Sequence, residues 1–317
     1  MDKLKKIGLT ALAGSLVAGS VSAAEMSVSG SATMSFNGGD EKKTEGQGWT
    51  MGDSVTFSAS GDVNDIGVTY KVELDGDAGD STAGGAAAID SHSLTFDLGD
   101  AGTLIFAGHG GDGFMSANDD VMPSAHEEPW DIVTGAEAQV INGHGGNNMF
   151  TYKYSHESGL NFTLGYLNAD DANSDVSYTD MGVTYTGVDG LTVGYGQGDV
   201  EQTSDTKSDE STMFAKYAIG AMTVGIQLSE KDNETGNDYE STGIGISYQV
   251  NDDLAVSYGI NTSEVTGTNP DQEATAVSAS YTLGSLSISA SMHQVDNINN
   301  AGTNDREAYN ISLGFAF

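Results

Sequence analysis

Apolar and polar residues alternate along most of the chain. From Met26 to Phe36 the even positions hold Met, Val, Gly, Ala, Met and Phe, whereas every odd position between them is Ser or Thr. A period of two is typical of a β-strand with one apolar and one polar face, because successive side chains point to opposite sides. A helix would mix the two sets on every side. The pattern therefore predicts a strand at this place.

About sixteen segments carry the same alternation, to within about two. Each is roughly ten residues long, which is the length that a tilted strand needs to cross a lipid bilayer. An even number of antiparallel strands can close into a barrel. Clear examples are Val68–Leu74, Phe162–Tyr166, Leu254–Ile260, Leu286–Met292 and Tyr309–Phe317.

The connections between these segments are short and long in turn. The short ones, such as 188–190 and 284–285, contain the Gly, Asn and Asp residues of tight turns. The long ones are 37–50, 76–90, 110–146, 169–177, 199–209, 231–239, 264–272 and 296–305. Short turns at one rim and long loops at the other are typical of an outer-membrane barrel, and a soluble sandwich has no such regular alternation.

Composition excludes several other classes of protein. The 317 residues include 46 Asp and Glu against 11 Lys and Arg, which gives a formal net charge of -35. Such a chain would repel a polyanion, so nucleic acid is not expected as a partner. The absence of cysteine excludes disulfides and cysteine zinc sites. Disorder is the remaining rival on composition, and the sustained alternation argues against it.

The first 24 residues are predicted to be a secretory signal. Lys3, Lys5 and Lys6 precede an apolar run from 7 to 21, and small residues follow at 22–24. A single transmembrane anchor is the alternative, but the run is short and rich in small residues. We expect an exported mature chain of residues 25–317 that forms one domain. Beyond the N-terminus no apolar run is long enough for a membrane-spanning helix.

The width of the barrel decides which face meets lipid. Sixteen strands enclose a tube that side chains cannot fill, so an apolar interior would be a void. The polar set, mostly Ser, Thr, Gly, Asn and Gln, suits a water-filled lumen. We therefore predict an all-β, closed antiparallel transmembrane barrel with its apolar set against lipid. Tyrosines such as Tyr70, Tyr152 and Tyr248 stand on the apolar set near strand ends, as expected of an aromatic girdle.

Three features together resemble the general-diffusion porins of the Gram-negative outer membrane, most closely those of alphaproteobacteria. They are the start of the mature chain at Glu25–Met34, the final strand that ends in Phe317, and one very long loop, 110–146, after the fifth strand. The resemblance implies a trimer in which each chain is its own passive channel for small hydrophilic solutes and ions, with no enzymatic step. It also implies that Phe317 is recognised by the barrel-assembly machinery and that outer-membrane lipid surrounds the barrel.

In that family the third loop folds into the barrel and narrows it, and 110–146 is the matching segment. Its apolar residues, such as Phe114 and Ile132, favour packing inside the barrel over an extracellular flap. The predicted constriction acids are Asp112, Asp119, Asp120, Glu127, Glu128, Asp131 and Glu137.

The family sets basic residues on the wall that faces this loop. Here the predicted basic wall is weak, because only Lys71, Lys153, Lys216 and Arg306 lie on the polar set. Each of them could instead pair with a neighbouring acid. A weak basic wall under an acidic loop predicts a pore that favours cations.

Other chemistry in the sequence is faint. Asp112, Asp119 and Asp120 offer oxygen ligands for calcium, although solvated, mutually repelling acids are the simpler interpretation. No cofactor is required. His109, His126 and His144 lack the spacing of metal ligands, and neither a nucleophile elbow nor a phosphate loop occurs. The alternative function is that of an exported acidic β-protein, an adhesin or solenoid, that binds calcium or a surface partner.

Overall fold

The computed structural model describes residues 25–39, 48–75, 88–136, 141, 143–169, 176–202 and 206–317. The predicted signal segment 1–24 lies outside these residues. In the described part of the chain the regular elements are sixteen strands and three short 3-10 turns, at Gly99–Ala101, Ser116–Asn118 and Ile298–Asn300. The strands are β1 (Glu25–Gly39), β2 (Trp49–Val63), β3 (Ile66–Asp75), β4 (Ala88–Asp97), β5 (Thr103–His109), β6 (Met149–Ser155), β7 (Leu160–Leu167), β8 (Val176–Val188), β9 (Leu191–Gln202), β10 (Lys207–Ile219), β11 (Met222–Asn233), β12 (Tyr239–Gln249), β13 (Leu254–Val265), β14 (Gln272–Leu283), β15 (Leu286–Asp296) and β16 (Arg306–Ala316).

The sixteen strands form one closed antiparallel barrel. Each strand pairs with its neighbours in sequence, and β1 pairs with β16 to complete the ring. At the junction Gly30 and Phe317 exchange two backbone hydrogen bonds of 2.9 and 3.0 Å. Closure satisfies the backbone groups that an open edge would leave unpaired. The predicted fold is therefore confirmed, including the number of strands.

The two rims differ as the sequence predicts. Connections from even to odd strands are tight: Asn64 and Asp65, with φ of 50° and 65°, join β2 to β3, and Gly220, with φ of 60°, begins the turn between β10 and β11. Both conformations are left-handed, which Asn, Asp and Gly adopt most readily. Most connections from odd to even strands are longer, and the longest joins β5 to β6.

Large apolar side chains cover the outside of the barrel. Met181, Leu283 and Met292 have 51%, 61% and 71% of their surface exposed, and each stands on the predicted apolar set. Hydroxyl groups pair across strands on the inward face, as in Ser31–Ser54 at 3.1 Å and Ser35–Ser312 at 2.9 Å. The predicted orientation of the two sets is thus confirmed. None of the helical segments in the described ranges is long and apolar enough to cross a membrane.

The apolar core lies between the wall and the segment that joins β5 to β6. Phe114, Met115 and Met122 of that segment pack with inward-facing residues of the wall, including Tyr178 and Phe214. These wall residues are exceptions to the rule that inward positions are polar. Their burial indicates that part of the lumen is lined for contact with protein and not with water.

Candidate functional site

Residues 110–146, which we call the inner loop, leave β5 and return to β6 through a tied base. Gly111 and Gly146 exchange backbone hydrogen bonds of 3.0 and 2.9 Å. The Thr151 hydroxyl of β6 donates to the Asp112 carbonyl oxygen at 2.6 Å. The inner loop therefore begins and ends at one point on the wall.

The first turn of the inner loop packs on two glycines of the wall. Gly182 of β8 and Gly196 of β9 lie directly opposite each other. A Cβ atom at either position would come within 2.1 Å of the Phe114 ring, whose surface is only 2% exposed. Only glycine leaves room for the ring here.

A second row of glycines receives the middle of the inner loop. Gly225, Gly245 and Gly259 lie side by side on β11, β12 and β13. Cβ atoms at these positions would be 2.6 and 3.0 Å from Pro123 and 3.0 Å from Pro129, respectively. At these three positions the inner loop lies flat against the wall, because glycine leaves no side chain between them.

Polar side chains of the wall hold the inner-loop backbone at several points. The Gln227 side-chain oxygen accepts from the Val121 N–H at 3.1 Å, and its NH2 donates to the Asn118 carbonyl at 2.7 Å. The Ser257 hydroxyl accepts from the Ala125 N–H at 2.8 Å. These contacts fix the height of the loop in the lumen.

The far part of the inner loop forms a second apolar contact. Trp130, Ile132, Val133 and Ala136 pack with Ala274, Val295, Ile298 and Ala308 on and beside β14 to β16. Arg306 donates to the Thr134 carbonyl at 3.3 Å, and Gln272 donates to the Ala136 carbonyl at 2.9 Å. Between its two ends the inner loop therefore follows the wall from β8 to β16.

The predicted constriction acids fall into three places. Asp112 is exposed at the base of the inner loop. Asp119 and Asp120 adjoin each other after the first turn, and Glu127, Glu128 and Asp131 form a group farther along. Glu137 lies outside the described residues.

Burial among other acids raises the pKa of several of these carboxyl groups. Desolvation by burial, together with the charge of Asp120, raises the pKa of Asp119 to about 7. Burial, a hydrogen bond to Asp131 and its charge raise the pKa of Glu128 to about 9. The pKa of Asp120 is also raised, by burial and then by Asp131, while Lys216 acts in the opposite direction. Raised pKa values are expected where like charges share a partly desolvated site.

Three of the acids offer carboxylate oxygens to a common point. The ligand atoms of Glu127, Glu128 and Asp131 lie within 4.8 Å of one another. Within the described ranges this is the one such group of three, so Asp112 does not join Asp119 and Asp120 in a compact set. His109, His126 and His144 make separate contacts, with the Asp90 carbonyl, with Asn310 and Glu127, and near Glu210.

The four predicted bases face the lumen from separate strands. Lys71 is on β3, Lys153 on β6, Lys216 on β10 and Arg306 on β16. Lys216 is near Asp120, and Arg306 binds the inner-loop backbone, so these two stand on the same side as the acids. The structure does not gather the four into one patch.

Several residues of this site were not predicted from the sequence. They are Asp180 and Gln227, which bind the inner-loop backbone, His293, whose Nδ1 donates to the Pro129 carbonyl at 3.2 Å, and the glycines under the loop. One signal in the sequence could have indicated the path of the loop. Glycines recur at inward positions of β8 to β13, whereas Ser and Thr predominate at the inward positions of β1 and β2.

Comparison with solved structures finds the same barrel in several outer-membrane proteins. The loop L8 deletion mutant of OmpT from Vibrio cholerae has a TM-score of 0.70 and 18% identity, over 93% of this chain and 100% of that chain. OmpF of Salmonella typhi, solved with daunomycin, has a TM-score of 0.72 and 14% identity, over 92% and 97%. The anion-selective porin from Comamonas acidovorans has a TM-score of 0.68 and 15% identity, over 93% and 100%. At these identities the likeness shows the fold.

Comparison with curated proteins gives no match. A family model of Gram-negative porins matches residues 8–317, which is nearly the whole chain. Together with the closed barrel of sixteen strands, this match shows that the chain belongs to the Gram-negative porin family and forms a channel in the bacterial outer membrane.

Proposed function

We propose that this porin is a cation-preferring channel for passive diffusion of small hydrophilic solutes and ions, and that the inner loop is its constriction. The observation that supports this most is the course of the loop along the wall from β8 to β16 with its acids. The open bore then lies between the loop and the strands β1 to β4, whose inward side chains are mostly hydroxyls.

The mechanism needs no covalent step, and we propose no enzymatic activity. The barrel replaces hydrocarbon with water, and the inner loop limits the size of the solutes that pass. Carboxylates at the narrow part attract cations and repel anions, and the low-dielectric wall strengthens this field. Hydroxyl groups such as those of Ser31 and Ser54 offer neutral hydrogen-bond partners to solutes that leave part of their hydration shell.

The predicted partners stay proposals. We propose a homotrimer set in outer-membrane lipid, in line with the trimer form of OmpT from Vibrio cholerae among the similar structures. Phe317 follows β16, and its backbone pairs with Gly30 of β1 where the barrel closes. Its surface is 64% exposed, and it would be the residue that the assembly machinery recognises. Calcium binding also stays a prediction, and Glu127, Glu128 and Asp131 are the acids closest to a shared ligand position.

Single-channel recording in planar bilayers tests the proposal. We expect current steps that are linear in voltage and a reversal potential, under a salt gradient, that indicates a preference for cations. An anion preference would contradict the charge assignment. The alternative of a soluble adhesin or solenoid predicts a mature chain that stays folded without detergent, which the apolar outer surface argues against.

The cation preference is expected to decrease as the pH falls. A carboxyl group is negative only above its pKa, so Glu128 loses its charge as the pH falls through about 9, and Asp119 as it falls through about 7. The ratio of cation to anion permeability, from reversal potentials between about pH 10 and pH 6, should therefore decrease steadily. A ratio that stays constant over this range would show that these groups do not face permeating ions.

A further inference from the structure

A buried carboxylate of the wall lies directly under the first turn of the inner loop. Asp180 of β8 points into the lumen and is 5% exposed. Its Oδ2 atom accepts a hydrogen bond of 2.9 Å from the backbone N–H of Met115. A Cβ atom on Gly113 of the loop would be 2.1 Å from Oδ2, and one on Gly165 of β7 would be 2.2 Å from Oδ1. The carboxylate therefore fills the space between loop and wall.

The returning part of the inner loop meets a second buried carboxylate in the same row. Asp180, Gly198 and Glu210 lie opposite one another on β8, β9 and β10. Glu210 pairs with Lys231 at 2.6 Å, and His144 of the loop approaches the same oxygen to 3.9 Å. The gap at Gly198 is taken by the Tyr178 hydroxyl, which a Cβ there would meet at 2.3 Å. Both ends of the inner loop thus rest on one row of the wall.

The two carboxylates differ in what balances their charge. Glu210 has Lys231, whereas within the described ranges no basic side chain forms an ion pair with Asp180. A buried carboxylate that lacks a counter-ion is costly unless it accepts hydrogen bonds. The inner loop satisfies only Oδ2 of Asp180, through the Met115 N–H, whereas the buried Oδ1 atom has no hydrogen-bond partner. In turn the Met115 N–H, in a residue only 1% exposed, depends on Asp180.

We infer that Asp180 is a positioning residue of the channel: by holding the Met115 N–H it keeps the first turn, and with it the acids that follow, at the height of the constriction. This inference rests on the proposed function for its effect on ion flow. Its geometric content, that Asp180 holds the loop against the wall, does not depend on selectivity.

The position of the loop can be measured with a single thiol, because the chain has no cysteine of its own. Ser229 of β11 is 6% exposed and lies beneath the loop beside Gln227. In an S229C background, a water-soluble thiol reagent should react slowly while the loop is held down. Asp180→Leu removes the acceptor, and the reaction should then be about tenfold faster or more, the factor expected for one lost hydrogen bond to a charged group.

Two comparisons separate positioning from a general defect. Asp180→Asn keeps an oxygen for the Met115 N–H and should restore the slow reaction. Asp199→Leu removes an exposed carboxylate of the neighbouring strand and should leave the rate unchanged. Heat-dependent mobility on a gel shows whether the Asp180→Leu barrel is folded. If it is folded and the thiol still reacts equally slowly, the inference is overturned.

If Asp180→Leu fails to fold, the donor can be removed instead. Met115 has a φ of −65°, the value that proline imposes, so Met115→Pro removes the N–H with little change in the backbone. Met115→Ala, which keeps the N–H, is its control for the lost side chain. The proline variant should react faster than the alanine variant, and equal rates would overturn the inference. A faster reaction with an unchanged reversal potential would support the role of Asp180 in holding the loop. It would contradict the proposal that the loop is the constriction that sets ion selectivity.

Discussion

Neutralising four acids of the inner loop is expected to remove most of the channel's preference for cations. The four are changed together to their amides, as D119N, D120N, E127Q and E128Q. A cation that passes about 4 Å from one carboxylate gains about 1 kcal/mol even in water, which is about a fivefold change in local concentration. With several such charges, the permeability ratio should fall by about tenfold or more, because the low-dielectric wall strengthens each interaction.

The measurement is the reversal potential under a salt gradient, taken above the pKa of Glu128, about 9, so that the carboxylates are ionised. A matched control removes the same amount of charge outside the bore. Asp199, Asp209, Glu230 and Asp232 stand on the outward face of β9 to β11 and are all exposed. Their amides should change the reversal potential little. An equal shift in both variants, or none in the loop variant, would show that the inner loop does not set selectivity.

The barrel could be predicted from the sequence because the physics of its wall is local. In a strand between lipid and water, apolar and polar residues must alternate. The two faces of a segment such as Leu286–Met292 can therefore be identified from its own sequence, whatever its neighbours are. In the same way, turn residues such as Asn64 and Asp65 indicate their own backbone conformation by their residue type. Closure then follows, because lipid does not tolerate an open edge.

The contacts of the inner loop could not be predicted in this way. Asp180 and Met115 are 65 residues apart, and nothing within either segment indicates that they meet. The same holds for the bases: Lys216 and Arg306 lie on the predicted polar set, but only the course of the loop decides that they stand beside it. The acids of the loop could be identified from the sequence as candidate residues. Which of them lie close together depends on how the chain turns after Pro123.

The inward glycines indicate where the inner loop contacts the wall, which the alternation of apolar and polar residues does not show. In a strand, glycine is intrinsically unfavourable, since it contributes no packing and loses much conformational entropy. Gly182, Gly196, Gly225, Gly245 and Gly259 nevertheless recur on the inward face, and each lies under an inner-loop side chain. Their common property is the absence of a side chain where another segment must lie flat.

Placing valine at Gly182 is therefore expected to displace the inner loop without unfolding the barrel. Valine favours strands, so the wall itself should tolerate the change. Its Cβ, however, would lie 2.1 Å from the Phe114 ring, which packs among Met115, Met149 and Tyr178 and has little space to move. Overpacking of this kind costs about 1–3 kcal/mol, enough to release a segment held by a few contacts. We expect a changed open-channel conductance with larger current fluctuations.

Gly52→Val is the matched control for this change. Gly52 is also an inward strand residue, on β2, and a Cβ there meets nothing within 4 Å, so this variant should not show the larger current fluctuations. Adding Phe114→Ala to Gly182→Val removes the ring that the valine meets, and the fluctuations should then decrease relative to the single valine variant. If the current of Gly182→Val fluctuates no more than that of Gly52→Val, the ring does not hold the loop in place. Such a result would assign the position of the loop to its hydrogen bonds, Asp180–Met115 first among them.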